Sequence, residues 1–177
     1  KPESVRRRLE RFLANPRLDW QACCQDWARW VLSQPAGLHP VLLVDETKVG
    51  NHLRVMVVGL AYQSCCIPLV FWAYRQMPLG QVALIETLLG WVAAALPTGS
   101  QPLLQADRGI GTSPDLIRVV ERLGWHYLFR VQNDTRLGTR AGQSCPLKHL
   151  VRRGESWRGR GLVFKKAGWL AATVLVT

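Results

Sequence analysis

Acidic residues are scarce in this 177-residue chain: 12 Asp and Glu stand against 23 Lys and Arg, a formal net charge of +11. That shortage points toward a polyanionic partner. No CxxC spacing joins Cys23, Cys24, Cys65, Cys66 and Cys145, so neither a zinc ribbon nor a thioredoxin-type site is encoded. The absence of GxxxxGK[ST], GxGxxG and HExxH excludes the corresponding phosphate-loop, dinucleotide and zinc-protease chemistries. An odd cysteine count without a secretory signal points to a reducing, intracellular compartment. The thiols themselves read as small buried hydrophobes. Charge is missing altogether from residues 55–74, a run long enough to span a bilayer. Gly59, Gln63, Ser64 and Pro68 interrupt it, and Gln63-Ser64 has the composition of a turn. Two buried strands explain the run better, and no membrane partner is expected.

Hydrophobic residues make up 48% of the chain, enough for one ordinary domain with its own core. The basic excess is concentrated at the end. Residues 41–107 carry three bases and four acids, whereas residues 108–177 carry thirteen bases and four acids. Eighteen of the 23 bases are Arg, whose planar fork suits bidentate phosphate recognition.

The periodicity predicts a helix over residues 2–13, with Val5, Leu9, Phe12 and Leu13 apolar and Arg6, Arg7, Arg8 and Arg11 between them. Those arginines suit either a DNA surface or a solvated face. Asp19 caps a second helix with Trp20, Cys23, Trp27, Trp30 and Val31 along one stripe, and residues 35–37 close the unit. Residues 41–44 are a continuous apolar run, as in a strand buried on both faces, ending in Asp45-Glu46-Thr47-Lys48. Strands at 53–61 and 65–73 complete an antiparallel meander. A helix reaches about Ala95, a fourth strand covers 102–106, Ser113-Pro114 opens another helix, and a fifth strand covers 125–131. The order β-β-β-α-β-α-β matches the ribonuclease H-like architecture, an α/β mixed five-stranded sheet flanked by helices. Its helical crossover makes strand four parallel to strand one, so that Asp45 and Asp107 follow neighbouring strands at their carboxyl ends.

Neighbouring strands lie about 4.8 Å apart. Two carboxylates at that separation repel, and a divalent cation removes the conflict. Singly, Asp45 reads as a loop acid and Asp107 as a turn former before Arg-Gly. Jointly, on strands this topology pairs, they read as a metal site. Glu86 lies on the helix after strand three, where ribonuclease H itself carries a carboxylate, and that resemblance makes it a candidate third acid, although its helical phase leaves its direction open. Thr47, Lys48, Arg108 and Arg130 lie nearest this edge as candidate phosphate ligands, although Arg108 could instead pair with Asp107. His39, His52, His126 and His149 have no ligand or general-base spacing and read as structural.

Val-Asp-Glu-Thr at 44–47, followed by two hydrophobic strands, resembles the first-acid region of DDE transposases of bacterial insertion sequences. Ala-Asp-Arg-Gly-Ile-Gly at 106–111, with the helix and Tyr-Leu-Phe-Arg-Val at 127–131 that follow, resembles their second-acid region. The resemblance covers about residues 40–135 and implies several properties. Asp45 and Asp107 would be catalytic ligands of two Mg²⁺ or Mn²⁺ ions. The reaction would be DNA cleavage and strand transfer at transposon ends by a two-metal mechanism, by a homodimer on DNA in a bacterial cytoplasm, nucleoid-associated when bound. In that family a late helix supplies a third acid within a Tyr, Arg, Glu, Lys pattern along one face. This sequence contains no such pattern. With Lys1 at the start and an apolar run reaching Thr177, the expectation is a fragment truncated before the third acid.

Residues 133–177 resemble the start of the β-rich insertion found in one group of these enzymes. Arg136, Arg140, Lys148, Arg152, Arg153, Arg158, Arg160, Lys165 and Lys166 are mixed there with Trp157 and Trp169, a composition suited to phosphates and bases. The plainer alternative is a solvated basic hairpin with Trp in its core. The expected organisation is an N-terminal helical segment at 1–37, a ribonuclease H-like core at 38–132 and the basic insertion at 133–177. Two other functions fit the same residues: a non-catalytic DNA-binding remnant, and a ribonuclease H-like nuclease that uses Glu86.

Overall fold

The computed structural model describes residues 2–34, 39–138 and 143–177. The turn expected at 35–37, with Arg140 and Gly142, lies outside the described residues, as do the side chains of Leu9 and Leu13.

The first two helices are α1 (Pro2–Leu13) and α2 (Trp20–Ser33). Asp19 caps α2, its Oδ1 accepting the Ala22 amide at 2.9 Å. The buried face of α2 is not the stripe expected. Ala28, Val31 and Leu32 enter the core, while Cys23, Trp20, Trp27 and Trp30 stay exposed. An indole is large and carries an N–H that needs a partner, so it favours the rim of a core. Trp20 packs there on Phe71, Trp72 and Trp91, and the Trp27 indole donates to the Pro68 carbonyl at 2.6 Å. Val5 and Phe12 of α1 are exposed as well.

Strands β1 (Val41–Val49), β2 (Leu53–Tyr62) and β3 (Cys65–Tyr74) form the antiparallel meander. The uncharged run is thus two strands joined at Gln63, which takes a left-handed φ of 53°. Among the described residues, no helix is long and apolar enough to cross a membrane. Helix α3 (Gln81–Ala95) then crosses to β4 (Leu103–Ala106), which pairs parallel with β1. A single turn, α4 (Arg108–Gly111), and helix α5 (Pro114–Arg122) lead to β5 (His126–Phe129), parallel to β4. The sheet order is β3-β2-β1-β4-β5, the mixed five-stranded, helix-flanked ribonuclease H-like arrangement.

One boundary differs in a way that matters. The first strand does not stop at Val44. It continues through Asp45 to Val49, because β2 keeps pairing with it after β4 has ended. Leu42 and Val44 share a buried face with Met56, Val58 and Leu104, against Leu84, Ile85, Leu88 and Leu116 of the helices. The opposite face, with Val41 and Leu43, is only half-buried.

The five cysteines correct the expectation of buried thiols. Cys23, Cys65 and Cys66 are exposed, and Cys24 and Cys145 half-buried. Cys65 and Cys66 open the outermost strand, where the core has run out.

A second sheet, ordered β7-β6-β8-β9, comprises β6 (Arg136–Gly138), β7 (Ser144–Pro146), β8 (Trp157–Val163) and β9 (Leu170–Val176). It has its own small core around Leu137, Leu147 and Val163. Gly138 is required where the Trp169 ring crosses β6: a Cβ there would sit 2.8 Å from the ring. Arg118 of α5 donates to the Ala167 carbonyl at 2.9 Å, joining the two sheets.

Gly111 seats α4 directly on β5. An added Cβ would fall 2.7 Å from the Arg130 carbonyl oxygen and 2.8 Å from the Phe129 Cβ, and backbone cannot yield as a flexible side chain does. Gly111→Ala is therefore expected to cost about 1–3 kcal/mol, read as a lower urea midpoint with unchanged m-value.

Candidate active site

Three parallel strands bring three residues into one row. Val44, Ala106 and Phe129 are aligned across β1, β4 and β5, so the residues that follow them, Asp45, Asp107 and Arg130, stand side by side at the carboxyl edge. The Arg130 amide donates to the Ala106 carbonyl at 3.0 Å, which holds this end of the row. Asp45 and Asp107 line one shallow cleft of about 190 Å³ with Glu46, Gln81, Gly109 and Ile110.

The two aspartates are held differently. Asp107 is the N-cap of α4, and its Oδ1 accepts the amides of Gly109 at 2.9 Å and Ile110 at 3.1 Å. Both bonds fall on one oxygen. Asp45 is exposed on the half-covered face of β1. Neither aspartate belongs to an ion pair among the described residues. Cys66 lies over Gly59 on β2, where a Cβ would also meet the Ile67 carbonyl oxygen at 2.9 Å. Although Cys66 is exposed as a residue, its sulfur lies against the β2 backbone, and this local desolvation raises the thiol pKa, with the Asp45 carboxylate adding to the rise.

Glu46 and Gln81 were not singled out from the sequence, yet both reach the cleft. Glu46 becomes visible as a site residue only once β1 is known to run past Asp45. Its side chain is 16% exposed and pairs with Arg54 at 3.0 Å. Arg54 stands opposite Lys48 across β1 and β2, which makes it the diagonal neighbour of Glu46. Burial raises the hydroxyl pKa of nearby Tyr74, the Glu46 charge raises it further, and Arg54 partly offsets this.

The other expected residues separate. Glu86 sits on α3, where Arg122 of α5 donates to its Oε1 at 2.6 Å, and it does not line the cleft. Thr47 is exposed on the same face of β1 as Asp45. Lys48 lies on the other face and lines a separate groove. Arg108 is exposed and, among the described residues, forms no ion pair with Asp107. His39 faces the Gln101 carbonyl at 3.4 Å.

In the second sheet, Arg158 and Arg160 project from the exposed face of β8, opposite Leu175 and Thr173 of β9. Trp157 turns the other way, onto the small core. Arg152 and Arg153 are exposed in the turn before β8, where Glu155 closes the loop by accepting the Arg152 amide at 2.9 Å. Arg136 is occupied within the sheet, donating to the Ser144 carbonyl and hydroxyl.

Carboxylate oxygens are the donors that hard divalent cations take, and the cleft offers those of Asp45 and Asp107 without an internal cation in competition. The donor set therefore fits Mg²⁺ or Mn²⁺. Among the described residues, no group of three or more His, Cys, Asp or Glu side chains could hold a metal ion.

No protein-family model matches the sequence, and no curated protein matches it. Among solved structures, the chain is similar to the catalytic domain of the Mos1 mariner transposase, at 15% identity and a TM-score of 0.38, over 66% of this chain and 62% of that one. It is also similar to the Mos1 transposase catalytic domain solved with Raltegravir and Mg, at 16% identity and a TM-score of 0.37, over 64% and 63%. The chain thus spans less than two thirds of either catalytic domain. At these values the likeness is remote, and the fold rests on the strand order and register given above.

The cap separates two roles of Asp107. Asparagine keeps the accepting oxygen and loses the charge; alanine loses both. Asp107→Ala is expected to be about 1 kcal/mol less stable than the parent, and Asp107→Asn to lie within about 0.5 kcal/mol of it, both from urea denaturation.

Proposed function

We propose that the chain carries the catalytic core of a DDE-type transposase, cutting DNA and joining transposon ends to a target. The observation that carries this reading is the pairing of Asp45 with Asp107. They stand on adjacent parallel strands, line one cleft and have no internal cation as partner. The resemblance of residues 44–47 and 106–111 to the two acid regions of these enzymes agrees with it. Two Mg²⁺ or Mn²⁺ ions, when bound, supply an acidic water as nucleophile and a counter-charge for the leaving oxygen.

The chain's own residues do the rest. Asp45 and Asp107 hold the metal from two strands, and the α4 cap fixes Asp107 in one orientation. Arg130 and Arg108 flank Asp107 and hold the phosphates on either side of the scissile bond. Thr47 contributes a hydroxyl on the Asp45 face. Arg152, Arg153, Arg158 and Arg160 bind the DNA backbone away from the cut, with arginine and without indole contacts, since Trp157 is turned inward. The active unit is a homodimer on DNA.

A second reading is a remnant that binds DNA without cutting it. Glu46, the third acid at the cleft, is taken up by Arg54, and among the described residues no group of three His, Cys, Asp or Glu side chains could hold a metal ion, which favours it. Nicking of supercoiled plasmid separates the two. A core that cuts nicks it with Mg²⁺ or Mn²⁺ and stops with chelator, and Asp45→Asn and Asp107→Asn each lower the rate by about 10²–10³-fold. Unimpaired nicking by both variants would reject the proposed centre. Glu86→Gln is expected to nick at the parental rate, and a collapse in that variant would move the third acid to α3.

A further inference from the structure

A second groove, larger than the acid cleft, opens at the tip of the β1–β2 hairpin. Its volume is about 470 Å³, and Lys48, His52, Arg54 and Arg75 line it with the turn residues Gly50 and Asn51. No carboxylate lines it. Lys48 and Arg54 stand directly opposite each other across β1 and β2, and Arg54 stands opposite Tyr74 across β2 and β3, with Arg75 next in the chain. Like charges placed opposite each other across strands destabilise a sheet. Arg54 is partly neutralised by Glu46, whereas Lys48 and Arg75 form no ion pair among the described residues. The middle of the chain is otherwise poor in bases: these three are the only Lys or Arg in residues 41–107. All three converge on one groove.

We infer that this groove holds the phosphodiester backbone of the DNA strand that enters the acid cleft. The inference rests on the reading of Asp45 and Asp107 as the cutting centre. Lys48 is three residues beyond Asp45 on the same strand, about 10 Å at 3.3–3.4 Å per residue. The Glu46–Arg54 pair sits between the two sites, with Glu46 at the acid cleft and Arg54 in the groove. Arg54 thereby keeps Glu46 from repelling the incoming phosphates, while Lys48 and Arg75 take them.

Binding is tested apart from cutting. A fluorescein-labelled duplex is titrated with the full chain in chelator over a series of salt concentrations, and anisotropy is read. Lys48→Gln and Arg75→Gln are each expected to weaken binding and to make the log–log salt slope shallower by about 0.9, the loss of one phosphate contact. Asn51→Asp, which adds a negative charge in the turn, is expected to weaken binding as well. Circular dichroism melting confirms that each variant folds. Parental affinity and slope in all three overturn the inference even if the parent nicks plasmid. Shallower slopes in a chain that nicks nothing keep the groove and remove the cutting centre.

Discussion

The parallel pairing of β1 with β4 is the constraint on which the site depends. Two strands joined by a hairpin must run antiparallel, which puts their carboxyl ends at opposite edges. A helical crossover of the size of α3 lets the fourth strand return in the direction of the first. Register then decides which side chains meet. Val44 opposite Ala106 places Asp45 beside Asp107, and a slip of one residue would turn one carboxylate to the other face. The apolar run of β1 fixes that register, since Leu42 and Val44 must stay on the buried face that forms the core with Met56, Val58 and Leu104.

The arginines divide the acids into two groups. Glu86, Asp115 and Glu46 are each answered by an arginine, and the pairs on α1 and α2 follow the same pattern. Exposed pairs of this kind add little stability. Their effect is to neutralise acids in a chain that already carries a large excess of bases. Asp45 and Asp107 are left out of this pairing among the described residues, as are Asp19, Glu121, Asp134 and Glu155. What sets the two apart is their shared cleft, and at Asp107 the α4 amides supply a partner for the carboxylate.

Much of this was legible in the residues. Continuous apolar runs, turn dipeptides and the Ser113-Pro114 helix start predicted the element order, and the ribonuclease H-like architecture that this order matches, with its parallel crossover, predicted the meeting of Asp45 and Asp107. What escaped was set by partners distant in sequence. β1 looked four residues long because its polar half, from Asp45 to Val49, carries no apolar signal. It is a strand only because β2 pairs with it. Glu46 was unreadable for the same reason. The tryptophans of α2 have helical spacing, but spacing does not tell a core from its rim. Cys65 and Cys66 belong to an apolar segment, and their exposure follows from β3 being outermost in the sheet, a property of topology.

That outermost position gives the contact between Trp27 and Pro68 a meaning. A strand at the margin of a sheet offers unpaired amides and carbonyls to any extended chain that drifts past, the usual start of self-association. At the middle of β3, proline has no amide to offer, and its carbonyl is already taken by the indole of Trp27. The margin is thus blocked at its centre by one residue and one hydrogen bond. An extended chain approaching this apolar strand therefore finds neither a donor nor a free acceptor at Pro68.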